Sequence, residues 1–444
     1  MKTVRLRYGT GHLPIRVPAD AEVLTGPTIP ALADPHAAVR AALADPIGAE
    51  SLADGLAAKA AALGRPIASV CITLSDITRP VPNELLITAL IEVLNAAGIG
   101  DEAVTLVIAT GMHRESTPAE RDHMLGTDLQ RRCRVVDHTA HDASTVTRVS
   151  ESPPVSVNTI YLESDFRIVT GLIEPHFMAG FSGGRKGVCP GLVDLETVSR
   201  FHGFATMSDP NSVEGRLIDN PCHAIADHFA HLVGVDFLLN VAITHDREPA
   251  GIYAGDLDAA FLAGCRDVAA WCTAAFEDTF DLVITSAGGF PLDKNFYQTV
   301  KGLCTALPAV GENATLLMVS ACEEVGEPAY TALYDRFGSD WRAFLEHIEA
   351  HAGQTAKDQW EYQMQTRALA KVGLDHLLLA NDGLDLATQQ GIAVTPIDTE
   401  VERPIGERLQ RWIDAYAAAN PGARIAVIPE GPYVMLSEAV LVAG

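Results

Sequence analysis

The sequence predicts an α/β protein built from two α/β domains with mainly parallel sheets. Short β-branched apolar runs alternate with segments of helical spacing, a pattern typical of strand–helix–strand units. The chain has 444 residues, which is more than one hydrophobic core usually covers, so two or three domains are expected. Neither an internal repeat nor a low-complexity tract interrupts this pattern.

The individual elements follow from the spacing of apolar residues. Residues 1–18 alternate apolar and polar side chains and predict a strand and a turn rather than a signal peptide. Segment 83–100 predicts a helix, with Asn83 as its N-cap and Gly98 or Gly100 at its end. Seven apolar runs predict buried strands, at 68–74, 104–110, 167–173, 237–244, 281–289, 315–321 and 424–431.

A domain boundary is expected near residues 276–280, where a helical segment gives way to a new apolar strand. We therefore predict an N-terminal domain over residues 1–276 and a C-terminal α/β domain over residues 277–419. The last segment, residues 420–444, is expected to return and complete the N-terminal domain.

The composition excludes several classes of protein. Lysine and arginine number 32 against 57 acidic residues, a formal charge of −25, which argues against a partner with a phosphate backbone and against an anionic membrane surface. No apolar stretch is long enough for a transmembrane helix. Eight cysteines occur without a CxxC pair, several of them in apolar runs, which favours reduced, buried thiols in a cytoplasmic protein.

The most informative stretch is the glycine-rich segment 171–203. Glycines of the kind found at Gly183 and Gly184 let the backbone approach a ligand and expose N–H groups to an anion. Lys186 lies in the same turn, but it is followed by Gly187, so the segment is not a Walker A loop.

Further polar residues follow the predicted strands, where open parallel sheets hold their ligands. Asp76 and Arg79 come after the first buried strand, and His113 follows the second. In segment 286–302, Tyr297 and Lys301 lie one helical turn apart and share a face. Together with the glycine-rich turn, this collection of histidines, lysines and an arginine indicates an enzyme that handles a carboxylate.

Five motifs in this order identify a family resemblance: SDITRP, TGMHR, EPHFMAGFSGGRKGVCPG, RFHG and GGFPLDKNFYQTVKG. They span roughly residues 75–302, and the chain resembles the lactate racemase family, the nickel-pincer nucleotide enzymes. The resemblance implies a racemase or epimerase of a 2-hydroxy acid whose active site lies in the cleft between two domains. It also implies reversible hydride transfer to the cofactor.

The resemblance implies how the cofactor is held. Lys186 would carry the nickel pyridinium-3,5-bisthiocarboxylic acid mononucleotide through a covalent link, and His202 would be the protein ligand of nickel. Gly183, Gly184 and Asp76 would complete the cofactor site, with Asp76 also orienting Arg79 or a histidine. Cofactor-maturation proteins would be the partners that supply the group.

The resemblance also implies roles toward the substrate, a small anionic 2-hydroxy acid. Two histidines would serve as the acid–base pair, one for each enantiomer, and these are His113 and His176. The residues that would bind substrate or line its pocket are Arg79, Lys301, Gln298, Tyr297 and Trp360. Arg185, beside the attachment lysine, is expected to add a cation to the cleft, and Met112 stands where the family often has a small residue.

The substrate and two competing functions stay open at this stage. Lactate, malate or a sugar acid would each satisfy the motifs. One alternative treats the three histidines as the ligands of a zinc hydrolase, with His113, His176 and His202 around one ion. The other is a carboxylate-binding protein of the same fold without catalytic activity.

Overall fold

The structure, a computed structural model, describes residues 1–437 and 439–441. The strands in chain order are β1 (Lys2–Tyr8), β2 (Gly11–Val17), β3 (Glu22–Val23), β4 (Val70–Ser75), β5 (Val104–Ala109), β6 (Arg134–Asp137), β7 (Val146–Glu151), β8 (Pro154–Asn158), β9 (Phe166–Leu172), β10 (Pro175–His176), β11 (Gly180–Phe181), β12 (Phe237–Ile243), β13 (Pro249–Gly255), β14 (Phe280–Ser286), β15 (Val310–Val319), β16 (Leu377–Ala380), β17 (Thr395–Pro396) and β18 (Ile425–Ile428).

The helices surround these strands and connect them. In chain order they are α1 (Pro35–Ala44), α2 (Leu52–Leu63), α3 (Asn83–Ala96), α4 (Pro118–Arg132), α5 (Thr159–Glu163), α6 (Leu195–Phe201), α7 (Phe204–Ser208), α8 (Pro221–Val233), α9 (Leu257–Cys272), α10 (Phe296–Ala306), α11 (Pro328–Phe337), α12 (Trp341–Ala350), α13 (Gln359–Val372), α14 (Leu386–Gly391) and α15 (Ile405–Ala419). Within the described ranges, none of these helices has the length and apolar character needed to cross a membrane.

The first sheet has six strands in the order β13-β12-β9-β4-β5-β6. Its strands pair in parallel except for β13, which is antiparallel to β12 at one edge. Apolar residues cover both faces, because the central strands carry nearly continuous apolar runs and each face has its own core cluster. This arrangement confirms the predicted α/β class.

The second sheet also has six strands, in the order β17-β16-β15-β14-β18-β3, and its pairings are all parallel. The N-terminal hairpin β1–β2 packs on this sheet. Leu6 and Val17 of the hairpin share a core cluster with Leu282, Leu317 and Val427 of the sheet. The first residues of the chain therefore belong with the C-terminal half.

The predicted domain limits are wrong at both ends of the chain. Strand β18 pairs with β14, with Leu282 opposite Ile425, so residues 425–428 complete the second sheet and not the first. Strand β3 continues the same sheet beside β18, which removes residues 22–23 from the predicted N-terminal domain. Only the segment after β18 returns to the first half, where Met435 bridges to Thr273.

Helix α3 begins one residue earlier than predicted, because Asn83 was expected to be its N-cap. Asn83 is the first helical residue, Pro82 occupies the N-cap position, and no side chain caps the helix. The Asn83 side chain is buried instead. Helix α10 does have a side-chain cap, since the Asn295 carboxamide oxygen accepts a hydrogen bond of 2.9 Å from the Gln298 backbone N–H. The eight cysteines are free, and six of them are buried.

Helix α13 fastens the second half of the chain to the first. Its Arg367 donates hydrogen bonds to the backbone carbonyls of Met207, Asp209 and Ser212 at 2.6–2.9 Å. Its Gln363 donates to the Phe204 carbonyl at 3.0 Å and the Ser208 hydroxyl at 2.9 Å. Charge-assisted donors in such a partly buried place hold the two halves in one arrangement.

We predict that Arg367→Ala lowers the free energy of unfolding by about 2–3 kcal/mol, because three carbonyls lose a charged donor. Arg367→Lys retains a cation with fewer donors, so its free energy of unfolding should lie between those of Arg367→Ala and the unmodified protein. Denaturant unfolding followed by circular dichroism measures the loss. A midpoint for Arg367→Ala equal to that of the unmodified protein would contradict this account of the contact.

Candidate active site

A cleft with a cavity volume of about 160 Å³ lies between the strand ends of the first sheet and helices α10 and α13 of the second half. Most of the residues singled out from the sequence line it, whereas Gly184 and Arg185 do not. The lining set is Asp76, Arg79, His113, His176, Gly183, Lys186, His202, Tyr297, Gln298, Lys301 and Trp360.

The first wall of the cleft follows from the parallel pairing of neighbouring strands. Strand β4 pairs with both β5 and β9, so the carboxyl ends of all three meet at one edge. Asp76 directly follows β4, His113 follows β5, and His176 follows β9. Segments far apart in the sequence therefore contribute to one wall.

The glycine-rich turn is held from behind by Asn240 of strand β12. Its carboxamide oxygen accepts a hydrogen bond of 2.7 Å from the Gly184 backbone N–H. Gly184 has a φ of +53°, and a Cβ there would lie 2.6 Å from the ring of Phe261. Gly184 therefore shapes the turn from the protein side, while Gly183 faces the cleft. Asn240 was not singled out from the sequence, although a polar residue inside the apolar run FLLNVAI is a signal for it.

Lys186 projects from this turn into the cleft. Burial lowers the pKa of its amine well below the usual value, and the neighbouring cations Arg79 and Arg185 lower it further. A neutral amine is a nucleophile, and a partly buried lysine is suited to covalent attachment of a cofactor.

His202 lies at the C-terminal end of helix α6. Its Nδ1 is 2.9 Å from the Val198 carbonyl and donates to it, which leaves the Nε2 lone pair free. Burial lowers the pKa of the ring to about 3, with Lys186 contributing, so the imidazole is neutral. A neutral imidazole whose other nitrogen is anchored to a carbonyl is a typical metal ligand.

His113 and Asp76 form a hydrogen-bonded pair. His113 Nδ1 lies 2.7 Å from an Asp76 carboxylate oxygen, and Thr78 donates to the other oxygen through its hydroxyl at 2.5 Å. Burial disfavours the imidazolium, but the Asp76 charge outweighs it, so the pKa of His113 lies above its usual value. Despite its own burial, the pKa of Asp76 is lowered to about 2 by His113, Thr78 and Arg79. The pair keeps His113 Nε2 available toward the cleft.

His176 lies in a different environment from His113. Its Nδ1 accepts hydrogen bonds from the backbone N–H groups of Met178 at 3.4 Å and Ala179 at 3.2 Å. Burial lowers the pKa of His176 well below its usual value, and Lys186 and Arg79 lower it further. The neutral ring therefore carries its proton on Nε2.

Two cations have acidic neighbours that sequence reasoning missed. Arg79 Nε is 2.9 Å from a carboxylate oxygen of Glu174. Burial lowers the pKa of Lys301 to about 8, partly offset by Glu361, and burial raises the pKa of Glu361 to about 8. Glu174 lies inside the quoted EPH motif, whereas Glu361 follows Trp360 in a segment with no distinctive motif.

The second wall carries an aromatic pair and an unpaired amide. Trp360 Nε1 donates to the Tyr297 hydroxyl at 2.9 Å. The Gln298 carboxamide oxygen and the Ser182 hydroxyl are buried without a hydrogen-bond partner among the described residues. Buried polar atoms of this kind are normally satisfied, so two of the cleft residues have room for a polar ligand.

Arg185 does not contribute to the cleft, contrary to expectation. Its side chain is 1% exposed, lies 4.3 Å from the centre of the Phe261 ring and donates to the Ala179 carbonyl at 3.0 Å. Successive side chains of a tight turn point in different directions, so Lys186 faces the cleft while Arg185 faces the core. Met112 does line the cleft.

The three histidines of the zinc alternative do not meet at one point. In the part of the chain that the structure describes, one group of three potential ligands has its ligating atoms within 4.8 Å of one another, namely Asp227, His231 and Asp258. That group lies outside the cleft, with His231 and Asp258 exposed. The geometry therefore gives no support to a three-histidine zinc site.

These features place a buried lysine, three histidines and two further cations around one cleft, an arrangement typical of an enzyme active site. The family described as "Lactate racemase N-terminal domain" matches residues 8–215, and the family described as "Lactate racemase C-terminal domain" matches residues 276–436. The chain belongs to the lactate racemase family.

Individual relatives agree with this assignment. A lactate racemase of Lactiplantibacillus plantarum is 31% identical over 88% of this chain and 89% of its own length. One of Thermoanaerobacterium thermosaccharolyticum is 30% identical over 90% of each chain. The structure of the lactate racemase apoprotein from that organism aligns with a TM-score of 0.85 and 28% identity, covering 98% of this chain and all of that one.

A crystal structure of a protein from Thermotoga maritima shares the fold alone, at 18% identity, a TM-score of 0.65, and coverage of 88% of this chain and 98% of that one.

Family membership makes the protein an isomerase of the racemase and epimerase class, which replaces the hydrolase and non-catalytic alternatives. The family also implies a nickel-containing cofactor.

We predict that Asp76→Asn lowers the pKa of the His113 ring, because the imidazolium loses its adjacent carboxylate. The His113 ring signals in a pH titration of the cofactor-free protein measure the change by NMR. Asp246→Asn is the control, since the Asp246 side chain is 92% exposed. A His113 pKa that is the same in Asp76→Asn as in the unmodified protein would contradict the pairing.

Proposed function

We propose that this protein interconverts the stereoisomers of a small 2-hydroxy acid with a nickel-pincer nucleotide attached to Lys186. The observation that carries the proposal is the convergence on one cleft of the Lys186 amine, the free nitrogen of His202 and the pair His113 and His176. Both curated relatives are named lactate racemase, so lactate is the first substrate to test, followed by malate and sugar acids.

The described residues fit such a cofactor. Lys186 would attach it, His202 would ligate its nickel, and the unpaired Ser182 hydroxyl and Gln298 carboxamide offer polar contacts. Nickel suits an imidazole ligand. When bound, the cofactor supplies a centre that accepts the C2 hydrogen of the substrate with its electron pair and returns it.

The protein's own residues bind and orient the substrate. Arg79 and Lys301 are the cleft cations suited to its carboxylate, and Glu174 fixes the guanidinium of Arg79. Tyr297 and Trp360 close the second wall beside them. Binding energy from these groups places C2 in a fixed position and excludes water.

The two histidines move the hydroxyl proton. His113 has its Nδ1 engaged by Asp76 and accepts the proton at Nε2. His176, whose Nδ1 lies against the Met178 and Ala179 backbone, serves the opposite enantiomer: as the imidazolium it donates the Nε2 proton to a substrate oxygen that faces the other way and is left as the neutral ring. A racemase works in both directions, so the two residues exchange these roles between enantiomers.

Partners and location follow from the same proposal. A lysine-bound nucleotide has to be made elsewhere, so cofactor-maturation proteins are the expected partners besides the small anionic substrate. Nucleic acid and membrane are not expected partners, given the net charge of −25. The free cysteines support a location in the reducing cytoplasm.

The roles separate in a set of variants of the protein co-expressed with maturation proteins. Lys186→Ala and His202→Ala should lose bound nickel and turnover together. His113→Ala and His176→Ala should keep nickel yet lose most of the rate, by about 10²–10⁴-fold for an acid–base group. Metal content by mass spectrometry and stereoisomer ratio by chiral chromatography measure both effects. Full activity of both histidine variants would refute the acid–base assignment.

The Lys301 amine sets the alkaline limit of activity. Its pKa is lowered to about 8, so kcat/KM should fall as the pH rises through that value, because the neutral amine no longer attracts a carboxylate. Lys301→Arg should move this decline to higher pH, since a guanidinium stays protonated. Glu349→Gln, an exposed change on helix α12, is the control. An unchanged alkaline limb in Lys301→Arg would exclude Lys301 as its source.

A further inference from the structure

Trp360 contacts the histidine that the proposed function assigns to nickel. The two ring centroids are 4.3 Å apart and the planes differ by 27°, so the indole is stacked on the imidazole of His202. Phe201 meets the same imidazole edge-on, with centroids 4.7 Å apart. The Val198 carbonyl holds its Nδ1. The ring is therefore fixed by its face, its edge and one nitrogen.

The indole is itself held in one orientation. Trp360 is 3% exposed, and its Nε1 donates to the Tyr297 hydroxyl of helix α10 at 2.9 Å. Tyr297 packs edge-to-face against Tyr330 with ring centroids 5.1 Å apart. The indole plane therefore has little freedom to rotate away from His202.

The stack crosses from one half of the chain to the other. His202 is the C-cap of helix α6 in the first half, whereas Trp360 lies in the first turn of helix α13 in the second. Gln363, one turn after Trp360, hydrogen-bonds to the Phe204 carbonyl and the Ser208 hydroxyl of helix α7, which follows His202 directly. The helix that carries the indole is thus anchored beside the helix end that carries the imidazole.

We propose that Trp360 is a positioning residue for His202, and that through it the second half of the chain holds the nickel ligand in place. This proposal rests on the proposed function, which makes His202 the ligand. The stack keeps the imidazole plane, and with it the direction of the Nε2 lone pair, in one orientation in which it would ligate nickel. Trp360 was grouped with the substrate-binding residues on the sequence, and this contact gives it a different task.

A physical consequence separates this task from substrate binding. A metal bond weakens when its ligand can rotate, because outer groups that orient a ligand typically contribute about 10–100-fold to metal affinity. Loss of the aromatic face should therefore speed the release of nickel from protein that contains no substrate. A residue that only contacts substrate would leave this release unchanged.

The experiment uses the nickel-loaded protein without substrate. Nickel release into excess chelator is followed by the absorption of the nickel site. Trp360→Phe keeps an aromatic face, Trp360→Leu keeps apolar bulk without one, and Tyr297→Phe removes only the hydrogen bond to the indole. Trp412→Phe is the matched control, because Trp412 stacks on Tyr416 of helix α15 and lies outside the cleft. Thermal unfolding of each variant reports its folded state.

We expect Trp360→Leu to release nickel at least about tenfold faster than the unmodified protein, with a shifted absorption spectrum. Tyr297→Phe, which keeps the whole indole, should stay within about threefold, and Trp360→Phe, which loses the hydrogen bond and part of the stacked face, should fall between Tyr297→Phe and Trp360→Leu. If Trp360→Leu does not fold, faster release from Trp360→Phe carries the test. Release at the unmodified rate from every folded variant of Trp360 and Tyr297 would overturn the proposal.

One further variant distinguishes a failure of the positioning role of Trp360 from a failure of the nickel-ligand assignment of His202. His202→Ala should lose nickel altogether under the proposed function. If His202→Ala is nickel-free while Trp360→Leu retains nickel normally, the positioning role is wrong and the ligand assignment stands. If His202→Ala holds nickel as firmly as the unmodified protein, the ligand assignment is wrong and the role of Trp360 falls with it.

Discussion

The candidate active site depends on the packing of helices α10 and α13 of the second half against the strand ends of the first sheet. Each half alone carries an incomplete set of groups: Lys186 and the three histidines on one side, Lys301 and Trp360 on the other. The contact is held by directed hydrogen bonds. Arg367 donates to three carbonyls of the first half, and the buried carboxyl of Glu214 accepts from the Thr305 hydroxyl of α10 at 2.9 Å.

Closure of this cleft also sets the charges within it. Burial favours the neutral form of amines and imidazoles, and it does so for Lys186, His176 and His202. Asp76 reverses this tendency at His113, so the pKa values of the two histidines proposed as the acid–base pair shift in opposite directions although the residue type is the same. A protein with a net charge of −25 thus gathers the cations Arg79 and Lys301 in one cleft, and each of them has an acidic neighbour.

The sequence was most informative where structure follows from local pattern. Apolar runs predicted the central strands, and the position of polar residues after those runs predicted which side chains would meet. It was less informative about partners in space. The apolar sequence of a strand such as β18 does not specify which sheet the strand joins, so its pairing with β14 could not be predicted from residues 420–444. Buried polar residues such as Asn240 and Glu361 were missed because their function depends on the groups that surround them. Arg185 was misplaced because the direction of a side chain in a tight turn is set by three-dimensional packing.

In the proposed mechanism the hydrogen at C2 leaves and returns with its electron pair inside a closed cleft, while histidines transfer only the hydroxyl proton. Racemisation of a single enantiomer of lactate deuterated at C2, in ordinary water, tests this most directly. We expect the deuterium to remain at C2 in the inverted product, as measured by mass spectrometry after chiral separation. Replacement of the deuterium by solvent hydrogen at the rate of inversion would rule out this mechanism, because it would mean that C2 loses a proton to an exchangeable base.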